Sequence, residues 1–291
     1  MKVTFVVGAT ASGKSALALK LAQTHKGVIV NCDSVQVYSQ IQIGAAKPTD
    51  EDFQKVPHYL YGHVNPPSDY TAGEYRRDFF DQLKKLEQQN VRDVFVVGGT
   101  GFYFQAIEKG MYSIEKAQPL LTQELELLAA TPEGLLELYR ELKKFDPLSA
   151  LKIHPNDQYR IVRAIEIIRV TGRKPSDLKQ EKQEQTAAFP YALTKIGVQW
   201  ERSQLHERIH QRVKKMLSSG LIDEVKALNK LNLQSWAPLR SVGYAEVQDY
   251  LSGKITSKSA LEERILISTR QLAKRQITWF KRDSEIHWIN N

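Results

Sequence analysis

Gly8-Ala9-Thr10-Ala11-Ser12-Gly13-Lys14-Ser15 has the spacing G-x-x-x-x-G-K-[ST], a pattern suited to holding phosphates. Its glycines let the backbone wrap an anion with N–H groups turned inward. Lys14 adds a point charge, and Ser15 offers a hydroxyl to Mg²⁺ at the start of a helix. Asp33 and Ser34 come next. A carboxylate beside phosphates serves as a general base or orients a nucleophile, although Asp-Ser also suits a turn or helix cap. Thr100 stands in Gly98-Gly99-Thr100-Gly101. It either points a hydroxyl at the same crevice or completes a tight strand-to-helix turn. An ATPase presents a second acid at the end of a buried strand to hold Mg²⁺. Here the apolar run 94–97 ends in Gly-Gly-Thr-Gly, and the Asn-Lys-x-Asp of guanine selection is absent. The phosphates are therefore expected to be held for something other than γ-phosphoryl transfer.

These residues need a parallel sheet to bring them together. Residues 3–7 are an apolar, β-branched run that ends at Gly8 and predicts a buried strand. Leu17, Ala18 and Leu21 predict a helix, 28–30 a second strand, 72–87 a helix and 94–97 a third strand. Strand, glycine loop, helix and strand in alternation indicate an α/β core. In such a core the residues after the strand ends share one crevice, which brings Asp33 beside the phosphate loop. After Gly110 the pattern turns helical, at 120–128, 134–142 and 157–170. In the last of these, Ile161, Ala164, Ile165 and Ile168 form one apolar stripe, with Arg160, Arg163 and Arg169 on other sides. A polar run covers 179–185. One more strand is expected at 195–198, then helices over 205–220 and 261–280. The expected organisation is a first core part at 1–114, a helical insertion at 115–190, and core completion with basic helices at 191–291.

The chain has 291 residues, is 42% hydrophobic and 25% charged, the composition of a globular protein with ample core. It has no 18-residue apolar run, so no membrane span is expected. Cys32 is the one cysteine, which excludes an intrachain disulfide and suits a cytoplasmic protein. Net charge is +8. Between 201 and 291 there are 16 Lys/Arg against 10 Asp/Glu, and 268–282 holds five basic residues and no acid. That is either an electrostatic footprint for nucleic acid or a solvated helix face.

Further blocks follow the phosphate loop in order: Asp33-Ser34-Val35-Gln36-Val37-Tyr38, Ile43-Gly44-Ala45-Ala46-Lys47-Pro48 and Val97-Gly98-Gly99-Thr100-Gly101-Phe102-Tyr103. His154-Pro155-Asn156-Asp157 with Arg160 and Arg163 comes next, then Arg240-Ser241-Val242-Gly243-Tyr244 and the stretch from Thr269 to Trp279. In this order, and across nearly the whole chain, the sequence resembles the bacterial tRNA dimethylallyltransferases, also called tRNA isopentenyltransferases. Departures are small: Val35 stands where a longer or basic residue is frequent, and Ala45 replaces the usual Thr of Ile-Gly-Thr-Ala-Lys-Pro. The resemblance implies a P-loop core with a helical insertion, and transfer of a dimethylallyl group from dimethylallyl diphosphate. The acceptor is the exocyclic amine of the adenosine 3′ of the anticodon, with Mg²⁺ as helper ion. It implies Asp33 and Thr100 as catalytic residues, the loop from Gly8 to Ser15 as the diphosphate or nucleotide site, and Ser15 as metal ligand. For tRNA it implies Asp33, Ser34, Val35, Gln36 and Thr100, and Gln158, Tyr159, Arg160, Ile161, Val162 and Arg163. Arg240, Ser241, Val242, Gly243, Tyr244, Lys274 and Arg275 complete that set. The partner is the anticodon stem-loop, and a monomer is expected. A small-molecule kinase shares the loop and core, but accounts for neither the basic block nor the Gly-Gly-Thr-Gly strand end. A noncatalytic RNA-binding module leaves Asp33 and Thr100 without a task.

Overall fold

The computed structural model describes residues 1–111, 118–185 and 188–290. The chain divides into two compact units, Met1–Glu108 with Phe189–Asn291, and Lys109–Ala188. The expected junction at 114/115 lies outside the described residues. The first unit opens with β1 (Lys2–Gly8), α1 (Lys14–His25), β2 (Val28–Asn31), α2 (Asp50–Lys55), β3 (His58–Tyr59), α3 (Ala72–Gln88), β4 (Asp93–Gly98) and α4 (Gly101–Lys109). The second holds α5 (Pro119–Ala129), α6 (Pro132–Phe145), α7 (Pro147–Ala150), α8 (Gln158–Thr171) and α9 (Pro175–Gln185). The first then resumes with β5 (Ala192–Gln199), α10 (Arg202–Ser218), α11 (Leu221–Lys230), a 3₁₀ turn (Ala237–Arg240), α12 (Tyr244–Leu251), α13 (Lys258–Phe280) and β6 (His287–Asn290).

The six strands form one parallel sheet in the order β3-β2-β4-β1-β5-β6. Helices cover both faces of such a sheet, so its central strands read as continuous apolar runs. β1 obeys this, being buried from Val3 to Gly8. Register places the site. Val97 pairs with both Val6 and Asn31, so β1, β2 and β4 end level. Their following residues, the phosphate loop, Asp33 and Thr100, leave the sheet at one edge. The edge strands β3 and β6 were not foreseen. β3 has two residues, too few for any periodicity, and β6 is a short His-Trp-Ile-Asn run. Within β5, buried Lys195 makes ion pairs with Glu108 at 2.5 Å, Asp283 at 2.8 Å and Glu285 at 2.7 Å. The ammonium occupies the space that a cation would need among those carboxylates.

In the helical unit α5, α6 and α8 meet through Leu125, Leu138, Leu142, Ile161 and Ile165. Proline opens α5, α6 and α7, where its missing N–H is harmless. Asp146, fully buried, closes α6 and caps α7 by accepting Ser149 N–H at 3.1 Å. Its other oxygen accepts Ser176 N–H at 2.9 Å, at the start of α9. The polar run 179–185 is the latter part of α9, a helix whose residues carry no apolar stripe.

Candidate active site

β1 must turn sharply into α1, and the turn is held from behind. Gly8 has φ +153°, and a Cβ there would stand 2.8 Å from both Ser12 Oγ and Val198 O. Ala11 is left-handed at φ 62°, a strained conformation for a residue with a Cβ. Two long-range donors secure it. Arg208 Nε donates to Ala11 O at 2.8 Å, and Trp200 Nε1 to Ser12 O at 2.7 Å. The Arg208 guanidinium lies 4.4 Å over the Trp200 ring. Thr10 N–H donates to Gln276 Oε1 at 2.7 Å, so that amide is committed to α13. No side chain caps α1, and its first turn holds no acid. Its leading N–H groups and their dipole are thus available to an anion. Lys14 Nζ donates to Ala9 O at 3.2 Å. Burial lowers its pKa to about 8, opposed by the Asp33 carboxylate and reinforced by the Arg212 guanidinium.

Asp33 follows β2 in a tight turn. Its N–H donates to Asn31 Oδ1 at 3.0 Å, and its Oδ1 accepts Val35 N–H at 2.9 Å. Asn31, fully buried, also donates to Asp33 O at 3.1 Å and Leu60 O at 3.0 Å. The turn reading is therefore seen at Oδ1. Oδ2 has no hydrogen bond among the described residues. A Cβ on Gly99 would stand 3.6 Å from Oδ2 and 2.2 Å from Gln276 Nε2, which places Oδ2 beside the glycine-rich end of β4. Thr100 is used differently from a hydroxyl aimed at the crevice. Its Oγ1 accepts Ser34 N–H at 2.9 Å and donates to Ser34 Oγ at 3.2 Å. These two bonds brace the Asp33 turn.

Lys14, Ser15 and Asp33 line one pocket with Arg212 of α10 and Gln276 of α13. Gln276 also donates to Gly99 O at 3.0 Å, tying the two glycine loops together. The stretch Gly44-Ala45-Ala46 forms another wall. Gln36 Nε2 donates to Ala45 O at 2.9 Å, and Glu224 accepts Ile43 N–H at 2.8 Å. Tyr244 hydroxyl donates to Glu224 and accepts Gly44 N–H at 3.0 Å. Sequence reasoning missed Arg212, Gln276, Arg208 and Trp200. One signal existed: Arg212 interrupts the apolar stripe Leu205, Ile209, Val213 and Met216 of α10.

The residues expected to touch RNA sort by exposure. Ser34, Val35, Gln36, Ser241 and Val242 are half-buried beside the pocket, while Arg240, Lys274 and Arg275 are exposed. On α8, Gln158, Tyr159 and Arg160 are exposed and Arg163 is half-buried. Arg160 pairs with Asp157, and Arg163 with Glu166 at 2.9 Å. Ile161 and Val162 are corrected. Both are packed in the helical core, so they orient α8 without offering a contact surface. Tyr244 and Gly243 are likewise buried, and act by bracing the 42–44 loop and by turning the chain.

The IPP transferase family model matches residues 36–283. The chain belongs to the IPP transferase family. The tRNA dimethylallyltransferase of Bdellovibrio bacteriovorus is 52% identical over 288 residues, covering 99% of this chain and 92% of that one. That of Geobacter metallireducens is 40% identical with the same coverage. Among solved structures, the tRNA isopentenylpyrophosphate transferase of Bacillus halodurans is 33% identical with a TM-score of 0.71, covering 99% of this chain and 89% of that one. A eukaryotic dimethylallyltransferase acting on tRNA is 27% identical with a TM-score of 0.81, covering 99% and 73%. The family match begins after the phosphate loop and Asp33, which stand on the geometry above. Among the described residues of this IPP transferase, no helix is long and apolar enough to cross a membrane.

Proposed function

We propose that the chain transfers a dimethylallyl group from dimethylallyl diphosphate to the exocyclic amine of the adenosine 3′ of the tRNA anticodon. The observation that carries this reading is Asp33, whose Oδ2 has no hydrogen bond among the described residues, in a pocket also lined by Lys14, Arg212, Ser15 and Gln276. An adenine amine is a weak nucleophile because its lone pair is delocalised into the ring. As its nitrogen bonds to the prenyl carbon, Oδ2 accepts the amine proton and the carbon–oxygen bond to diphosphate breaks. The leaving oxygen takes the electron pair, and its charge is met by Lys14, Arg212 and the first amides of α1. The Ser15 hydroxyl, a hard oxygen donor at the start of α1, would suit Mg²⁺. When bound it neutralises diphosphate charge. A tRNA loop base is unpaired and can be drawn into a pocket. The expected partner is the anticodon stem-loop, with Arg240, Lys274 and Arg275 on its backbone, and the expected setting is the cytoplasm, as a monomer.

The test supplies unmodified tRNA with labelled dimethylallyl diphosphate in one arm and γ-labelled ATP in the other. Prenyl label should enter tRNA. Movement of the γ-phosphoryl label with no prenyl incorporation would make the chain a kinase.

A further inference from the structure

The pocket beside the phosphate loop changes character over one helical turn, and two helices show the same change. On α10, Arg212 and Met216 both line it. They are four residues apart, so they share a face and are separated by about 6 Å along the axis. Arg212 belongs to the charged end with Lys14 and Asp33. On α13, Gln276 reaches the phosphate loop through Thr10 N–H, and Leu272, one turn back, lines the same pocket. Moving one turn away from the phosphate loop therefore replaces a guanidinium and a carboxamide by a thioether and an isobutyl group. Val242 lines the same pocket. Met216 is held in place: it is 7% exposed, and its Cε lies 3.2 Å from where a Cβ on Gly243 would stand. Gly243 has φ +95°, so both backbone and space keep that position free of a side chain.

We infer that Met216, supported by Leu272, is the floor that limits the prenyl donor to one isoprene unit. This rests on the prenyl-transfer reading. With the diphosphate at Lys14 and Arg212, the distance available before Met216 is one helical turn. A single isoprene unit fits that length, whereas a second unit would have to displace the thioether. Discrimination by a floor of this kind is steric and shows in the ratio of rates for two donors.

The experiment measures kcat/KM for dimethylallyl and geranyl diphosphate with the same tRNA, in wild type, Met216→Ala, Met216→Val and Leu272→Ala. The ratio comes from one preparation, so it is independent of the folded fraction. Wild type should prefer the shorter donor, and Met216→Ala should raise the geranyl-to-dimethylallyl ratio by about 10-fold or more. Met216→Val and Leu272→Ala should shift it in the same direction by less. Calorimetric affinities of both diphosphates supply the ratio for any variant with impaired turnover. Wild type that transfers dimethylallyl, with an unchanged ratio in the Met216 variants, overturns the floor. Wild type that transfers neither group to tRNA overturns the reading beneath it.

Discussion

Asp33 gives one carboxylate oxygen to its turn and leaves the other without a hydrogen bond among the described residues, and this division sets what its replacement should do. Oδ1 shapes the turn through Val35 N–H, while Oδ2 lies beside Gly99. Asp33→Ala should lower single-turnover transfer by roughly 10²–10⁴-fold at saturating donor and Mg²⁺, the usual span for general-base catalysis. Full recovery at saturation would reassign Asp33 to metal binding. Asp33→Glu should rescue poorly, because one methylene moves the oxygen by about 1 Å. Lys14 is expected to carry the pH dependence. Burial holds it at about 8, so its charge is present below that value and lost as pH rises through it. Donor kcat/KM should therefore fall above about pH 8 when tRNA saturates. Lys14→Arg should remove that limb, since a guanidinium stays charged. Lys14→Ala should cripple donor use while tRNA affinity, read by filter binding, is kept. The loop and Asp33 were legible because motif spacing and a strand end locate them. Gln276 was not: its bond to Thr10 spans 266 positions, and local spacing carries no trace of so distant a partner.

Among the elements, apolar periodicity revealed the central strands and the helices α3, α8, α10 and α13. It failed where burial is slight, at β3, β6 and α9. In α9 the polar residues present no stripe, yet Asp146 anchors its start. Burial acts to raise the Asp146 pKa, but hydrogen bonds from Ser149 and Ser176 outweigh it and hold the carboxyl below its usual range. A depressed pKa contributes stability that is full above the unfolded value near 4 and is lost as pH falls through the folded value. Asp146→Ala should cost about 2–3 kcal/mol, as buried amides of α7 and α9 lose their acceptor. Urea unfolding at pH 7 and pH 3 checks both statements, because the difference between variant and wild type should shrink at the lower pH.

For the whole molecule, the net charge of +8 predicts salt-sensitive binding of RNA. Its sources are unequal. Arg160 and Arg163 already pair with Asp157 and Glu166, whereas Lys274 and Arg275 form no ion pair among the described residues. Lys274→Ala/Arg275→Ala should flatten the plot of log K against log salt by roughly 0.7–0.9 for each phosphate no longer neutralised, and Arg160→Ala/Arg163→Ala by less. Equal slopes in the two double variants would contradict this ranking. The chain's lone thiol has a practical use. Cys32 is completely buried, its N–H donates to Val97 O at 2.7 Å, and burial raises its pKa well above that of a free thiol. Thiolate chemistry there is suppressed, so maleimide dyes should ignore the native protein. Cysteines introduced at exposed Glu137 and Lys230, one in each compact unit, would then accept a fluorophore pair in an otherwise silent background. Energy transfer between them would report the distance between the two units in real time as tRNA arrives and leaves.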